Sequence, residues 1–554
     1  DANKNQTESI TLTPGPIVGK YNKNDLSDVY EDAIEIHCDG TSCISSSDDA
    51  LFDEGKLTIT KAGTYILGGE LNGQLNITAT KEDLIHLVLR NTTITSDFGP
   101  AIYGEKSKKV IITLEGQNTV SDSTSYPEGA STEKATNNNN KKKNEKTENN
   151  ETESKLPDAC IFIKDNLTFN GKGSLNVNAN FNDGIRSKNN LKLVSGKINV
   201  ISKGNSIKAK ESISIKEAEI NIDAGKSGIK VTKDNDPEEG FVVVDGGKIT
   251  IKTLKDGIHA ETHLSINGGV IRIVESDEGL EGQMIDITGG DIVVNSHNDG
   301  INASKIGAVN EAFHPNRDYS NDEQVYIRIN GGKVDVKADG TDLDGIDSNG
   351  SLYIGGTAEV YADCVYGGAF GHMASIDSDG SKVIDTDSTV LVTGSGKIPS
   401  SIGKSKRAEK SSKSDKSSKS NKSGKSNKSN KSGKSGKSDK SSKSDKSSKS
   451  NGFGWGFGGG FGYGSGYSSV YDEPDSCTKL QPYVRTVIKL QKEGTPITIT
   501  DKKGKVLIER SPRAQFAIIF FTSPEIIKGE TYTIKVGDIT EKVTAKVDKK
   551  TNKV

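Results

Sequence analysis

The chain has little of what builds most protein interiors and most binding clefts. Two methionines, one tryptophan and 5% aromatic residues stand among 554 positions, and only 31% of the residues are hydrophobic. Neither a leucine-rich helical fold nor a membrane protein can be assembled from so little apolar side chain. Long apolar runs are missing too: the strongest, residues 516–521, falls far short of the roughly 18–20 residues needed to cross a bilayer. Five cysteines are too few for a disulfide scaffold, and none has the spacing of a zinc site. H-E-x-x-H, a glycine-rich phosphate loop, an EF-hand loop and an ordered Ser/His/Asp set are all absent, and the seven histidines read as isolated packed or surface residues.

Charge of one sign is lacking only in the sum. The net charge is −3, but residues 404–449 hold sixteen lysines and Arg407 against four acidic residues, a net of +13. The rest of the chain therefore carries −16. Such an acidic body disfavours nucleic acid as a partner. The first residue is Asp1 and the first methionine is Met284, which points to a removed leader and to a secreted, extracellular or cell-wall location. Cys38 and Cys43 close the short loop C-D-G-T-S-C, suited to a local disulfide outside the cell, whereas Cys160, Cys364 and Cys477 are too dispersed to pair from sequence. Asn5, Asn76, Asn91, Asn166, Asn302 and Asn349 each begin N-x-S/T and are candidate glycosylation sites.

What is abundant is repetition. Aligned on D-G-I, the chain gives Ile185, Ile207, Ile229, Ile258, Leu280, Ile301 and Ile346, at separations of 22, 22, 29, 22, 21 and 45 residues. A Gly-Gly or Ser-Gly station keeps phase with it at 195–196, 246–247, 268–269, 289–290, 331–332 and 355–356. Between the stations residues alternate, as in Leu264-Ser265-Ile266, which is strand patterning with glycine-centred corners. A unit of 21–22 residues of this kind buries its apolar face only by stacking on the next unit. The expected fold is all-β: a right-handed parallel β-helix of about 21–22 residues per coil, with a small C-terminal β-sandwich. The expected organisation is an N-terminal segment and cap over 1–50, the β-helix over 51–402 with a disordered insert at 130–156 and a loop at 305–323, a Lys-Ser tract over 403–451, a Gly/aromatic linker over 452–474, and the sandwich over 475–554.

The phrases LTITKAGTYILGGELNGQLNI, NTTITSDFGPAIYG, GKGSLNVNANFNDGIRSKNNL, DGIHAETHLSINGG and DGIDSNGSLYIGG closely resemble a secreted carbohydrate-binding β-helix family described mainly from bacteria. SPRAQFAIIFFTSPEIIKGETYTIKVG is similar to that family's C-terminal β-domain. The resemblance covers nearly all of the chain except two low-complexity inserts. It implies the right-handed β-helix shared with polysaccharide lyases, bound calcium, and affinity for cell-wall polysaccharide, cellulose-like or acidic (polyuronate). Asn205-Ser206 and Lys226-Ser227 depart from the family's Asp-Gly pattern, so no cation site is assigned to those two coils.

The residue before each repeat glycine is Asp183, Asp256, Glu278, Asp299 or Asp344. In a parallel stack equivalent positions lie about 4.8 Å apart, where like charges cost roughly 3 kcal/mol per pair at an effective dielectric near 20. Something must neutralise such a column, and hard oxygen ligands suit Ca2+. The candidate ligands are Asp256, Asp277, Glu278, Asp299, Asp342, Asp344 and Asp347, with Asp377 and Asp379 as a further pair; turn capping is the bland role of any single one. Tyr353, Tyr361 and Tyr366 are candidates for stacking on sugar, although core packing would use them equally well. A calcium-dependent lyase would need an Arg or Lys base, for which Arg186, Lys230 and Arg272 are available, but no catalytic residue is assigned. Over residues 410–449 a lysine recurs every third position, followed by serine. That tract cannot fold, and it reads as a solvated spacer or as a polycation for anionic matrix or silica.

Overall fold

The computed structural model describes residues 14–130, 156–234, 238–304, 324–340, 344–371, 373–397 and 477–548. Residues 131–155 of the insert, the 305–323 loop, Asp342, the Lys-Ser tract and the Gly/aromatic linker lie outside the described residues.

The described residues are all-β, with a single four-residue helix, Lys23–Leu26, and large sheets that are mostly parallel. Three ladders of parallel strands run along the molecule, and most repeats contribute one short strand to each. In the first, Ile161, Ile185, Ile207, Ile229, Ile258, Leu280, Ile301, Ile346 and Ile376 pair rung on rung. Seven of these are the residues that align in the sequence repeat. Leu167, Leu191, Ile213, Val242, Leu264, Ile285, Ile327 and Leu352 form the second column. Leu175, Ile198, Ile220, Ile249, Ile271, Ile292, Val334, Val360 and Val390 form the third. All three columns are fully buried in one continuous core, and each such side chain contributes about 1.5–3 kcal/mol by leaving water.

The repeat's glycines follow from this stacking. Gly257 lies under the next rung, where a Cβ would stand 2.6 Å from Gly279 O and 2.6 Å from Ile273 Cδ1. Ser206 occupies the equivalent place one repeat before Gly228 and turns its hydroxyl onto Ser202 Oγ at 2.9 Å. The Gly-Gly stations have a different cause. Gly290, with φ +97°, turns a corner in the left-handed region that side chains avoid.

The ends are closed by other means. Residues 14–30 form a strap along the second ladder: Ser265 Oγ donates to Ile17 O at 2.8 Å, Tyr21 Oη to Asp245 at 2.9 Å, and buried Asp25 is held by Lys109, Lys192 and Thr168. Ile34–Gly40 then adds to Gly63–Asn72 in parallel and to Cys43–Ser45 in antiparallel fashion, with Cys38 bonded to Cys43.

The C-terminal strands are continuous with the ladders rather than free-standing. Cys477–Lys479 is the next parallel rung after Lys382–Ile384, and Phe516–Thr522 pairs antiparallel with both Thr389–Gly394 and Tyr483–Gln491. Phe516–Thr522 is buried along its whole length. Ile518 and Phe520 close the end of the main core, while Phe516, Ile519 and Phe521 pack against the four-stranded antiparallel sheet that holds Ile497, Ile499, Tyr532 and Ile534. A run without alternation is what a strand covered on both faces requires. Arg510 and Arg513 fix the contact through Asp335 and Asp363, at 2.7–3.0 Å.

Replacing Gly257 by alanine lowers the melting temperature, although in an open backbone the same change stabilises by about 0.4–1 kcal/mol. Thermal unfolding followed by circular dichroism checks this. Ile258→Ala, at the next residue, costs about 2–5 kcal/mol through the cavity it leaves.

Candidate functional site

The residue after each inward-facing isoleucine stands on the opposite face of the first ladder. Read along the stack these residues are Tyr103, Phe162, Arg186, Lys208, Lys230, His259, Glu281, Asn302, Asp347 and Asp377. The face therefore runs from aromatic through cationic to acidic. At its edge lies a polar column, Asp183, Asn205, Ser227, Asp256, Glu278, Asp299 and Asp344, of which Asp183 opens its strand and the others stand in the turns that enter theirs.

Where the acids are consecutive they crowd. Asp344, Asp347 and Asp377 each offer an oxygen, and the three lie within 4.8 Å of one another. Asp344 is 9% exposed. Burial, then the charges of Asp347, Asp377 and Asp299, push its carboxyl up to about 9 against the N–H of Ala374, which it accepts at 2.5 Å. Burial and the charges of Asp299, Asp377 and Asp379 push Asp347 up to about 7. Asp299 accepts the N–H of Asp344 at 2.8 Å and so lies beside the trio. Lys382, itself buried, reaches Asp377 at 3.2 Å. A donor set made only of oxygens, short of positive charge, is of the type Ca2+ accepts.

Three rungs earlier the chemistry differs. Asp256, His259 and Glu281 bring a second set of atoms within 4.8 Å. Burial works against the His259 charge, but Asp256, Glu261 and Glu281 raise its pKa well above the usual imidazole range. Burial raises and His259 more than offsets the shift at Asp256, leaving that carboxyl below the ordinary range. Glu278 is pushed up to about 8 by burial and by the Glu281, Asp256 and Asp299 charges, with Asn302 donating to it at 3.1 Å.

The other sequence-derived candidates are placed as follows. Asp277 belongs to neither group and lies 3.9 Å from Lys255. Tyr353 is half-buried, donating to Asp385 at 2.6 Å. Tyr361 is buried between the C-terminal sheets, 5.0 Å beneath the Arg510 guanidinium, so no sugar reaches its ring. Tyr366 packs against Ala338 and Cys364. Asn91 and Asn349 are exposed, Asn76 and Asn166 are half-buried, and Asn302 is buried within the acidic face. Arg186 is buried against Asp158, and Arg272 donates to Asp291 at 2.6 Å. His259 and Glu281 escape a search for paired acids before glycine. The column one place after the aligned isoleucines would have found them.

Residues 53–312 match the family described as carbohydrate-binding domain-containing protein. A protein of that description from Acetivibrio thermocellus (strain ATCC 27405) is 34% identical over 150 residues, 26% of this chain and 45% of that protein. The chain thus spans less than half of that relative's length. Among solved structures, a polysaccharide lyase-like protein from C. thermocellum, in a gadolinium derivative, is 29% identical over 47% of this chain and 93% of its own, at a TM-score of 0.37. Among the described residues no helix is long and apolar enough to cross a membrane.

The raised carboxyls fix a pH dependence. A group whose folded pKa lies above its unfolded value near 4 stabilises fully below that value, and the contribution is lost as pH rises through the folded pKa. With divalent cations chelated, the melting temperature is expected to fall between pH 5 and 9, the window set by Asp347, Glu278 and Asp344 at about 7, 8 and 9. Thermal scans across that range measure it, and Asp344→Asn flattens the fall.

Proposed function

We propose that the chain is a secreted, right-handed parallel β-helix that holds Ca2+ on its acidic face and binds polysaccharide without cleaving it. The observation that carries this reading is the Asp344–Asp347–Asp377 trio, whose oxygens converge within 4.8 Å on the outer face of a stacked ladder. A divalent cation there offsets the like-charge repulsion and, with part of its coordination left open, accepts the carboxylates of an acidic glycan. The family match supports carbohydrate as the ligand class. The Cys38–Cys43 disulfide supports an oxidising compartment.

An acidic, polyuronate-type glycan suits this face better than a neutral one. Neutral sugars stack on exposed rings, and on this ladder Phe162 is buried and Tyr103 is partly covered. Lys230, the rung before His259, adds positive charge for a bound polyanion, while Lys208 is buried against Asp183. A lyase needs a free base next to the metal. Arg186 is neutralised by Asp158, Lys230 stands four rungs from Asp347, and Lys382 beside the trio is buried and paired with Asp377. The Lys-Ser tract, at +13 over residues 404–449, is proposed as a second anchor to anionic matrix or silica.

Retention on polygalacturonate is expected to weaken about tenfold or more, 1.4 kcal/mol, on chelation of calcium or in the Asp344→Asn, Asp347→Asn, Asp377→Asn triple variant. No ultraviolet-absorbing unsaturated sugar is expected to form. Unchanged retention in both cases would overturn the calcium part of the proposal, and unsaturated products would overturn the non-catalytic part.

A further inference from the structure

The Asp256–His259–Glu281 group differs from the trio in containing nitrogen, and that changes the ion it selects. Two carboxylates converge on one ring nitrogen: Asp256 lies 3.4 Å from His259 Nδ1, and Glu281 lies in hydrogen-bond contact with the same atom. The other nitrogen, Nε2, is held by Glu261 at 3.1 Å. His259 is 5% exposed, so this orientation is fixed by its surroundings rather than by solvent. A metal-binding histidine has the same layout, one nitrogen toward the ion and the other donating to an orienting carboxylate. Ser227 donates to Asp256 at 3.0 Å and fixes the first carboxylate in turn.

A second observation points to a ligand. Asn302 is the rung after Glu281, is nine-tenths buried, and donates through Nδ2 to Glu278 at 3.1 Å, yet its Oδ1 meets no hydrogen-bond donor. A buried amide oxygen left without a donor is costly, and a metal-bound water at this point supplies one.

We infer that Asp256, His259 and Glu281 form a transition-metal site of the Zn2+ class, separate from the calcium trio, in which the metal takes the place of the Nδ1 proton and Glu261 orients the ring. Ca2+ seeks oxygen donors only, whereas imidazole with carboxylate suits Zn2+ and its neighbours. The face therefore sorts cations by carrying His at one rung and Asp at the equivalent place three rungs on.

The test is titration of ZnCl2 into the chelator-treated full chain by calorimetry, in excess Ca2+. A His297→Gln background removes the exposed group formed by His297, Asp339 and Glu275. One zinc site is expected to survive the calcium. Glu261→Gln weakens it about 10–100-fold, His259→Gln weakens it further, and Asp347→Asn with Asp377→Asn leaves it unchanged. Zinc X-ray absorption on the same His297→Gln chain is expected to show one imidazole shell, a readout that holds even if His259→Gln fails to fold. No zinc binding in excess calcium, an oxygen-only shell, or binding unchanged by His259→Gln would overturn the inference. Loss of polysaccharide binding in the triple aspartate variant with zinc binding intact separates this site from the calcium reading.

Discussion

Parallel stacking in strict register is the constraint on which the rest depends. Whatever residue occupies a place in one repeat meets its equivalent in the next at one strand spacing, about 4.8 Å away. Inside, this rewards identity, since isoleucine on isoleucine fills the space between rungs. Between the rungs it excludes bulk, which is why glycine precedes most of those isoleucines. Outside, it makes the choice of polar residue decisive, because a side chain that cannot pair with a copy of itself destabilises the stack.

The outer faces show two answers. On the third ladder Asn221 donates to Asn199 at 2.9 Å and Asn199 to Asn176 at 2.8 Å, since an amide both donates and accepts. A carboxylate only accepts. The first ladder nonetheless places acids in successive rungs and lets burial and mutual charge drive Asp344, Asp347 and Glu278 far above the ordinary carboxyl range. Structure alone would favour asparagine at such places. Retaining acid there is consistent with a cation as the partner, and the face reads as a graded series from cationic to mixed to all-oxygen surroundings.

Much of this was legible in the sequence because the repeat is itself the register. Alignment on D-G-I named the residues that pair, and Asp344 and Asp347 followed from it. Two things were hidden. Asp377 is legible only as half of a separate pair with Asp379; that it completes the trio was hidden, because it comes from the next rung across an irregular connection that includes Gly368–Phe370, where the D-G-I spelling has lapsed. His259 and Glu281 differ in type from their neighbours in the column, so a search for like residues passes over them. At the C-terminus, alternating strands suggested a separate unit, but Phe516–Thr522 bonds to the last rung of the third ladder. The buried Arg510–Asp363 pair, distant in sequence, fixes that contact and has no local signature.

The central claim is that the stacked carboxylates are closed by a cation. Long-wavelength diffraction from crystals grown in calcium tests it most directly. An anomalous peak is expected at about 2.3–2.6 Å from oxygens of Asp344, Asp347 and Asp377. Absence of a peak there at saturating calcium, with the three carboxyl groups still in place, would contradict it.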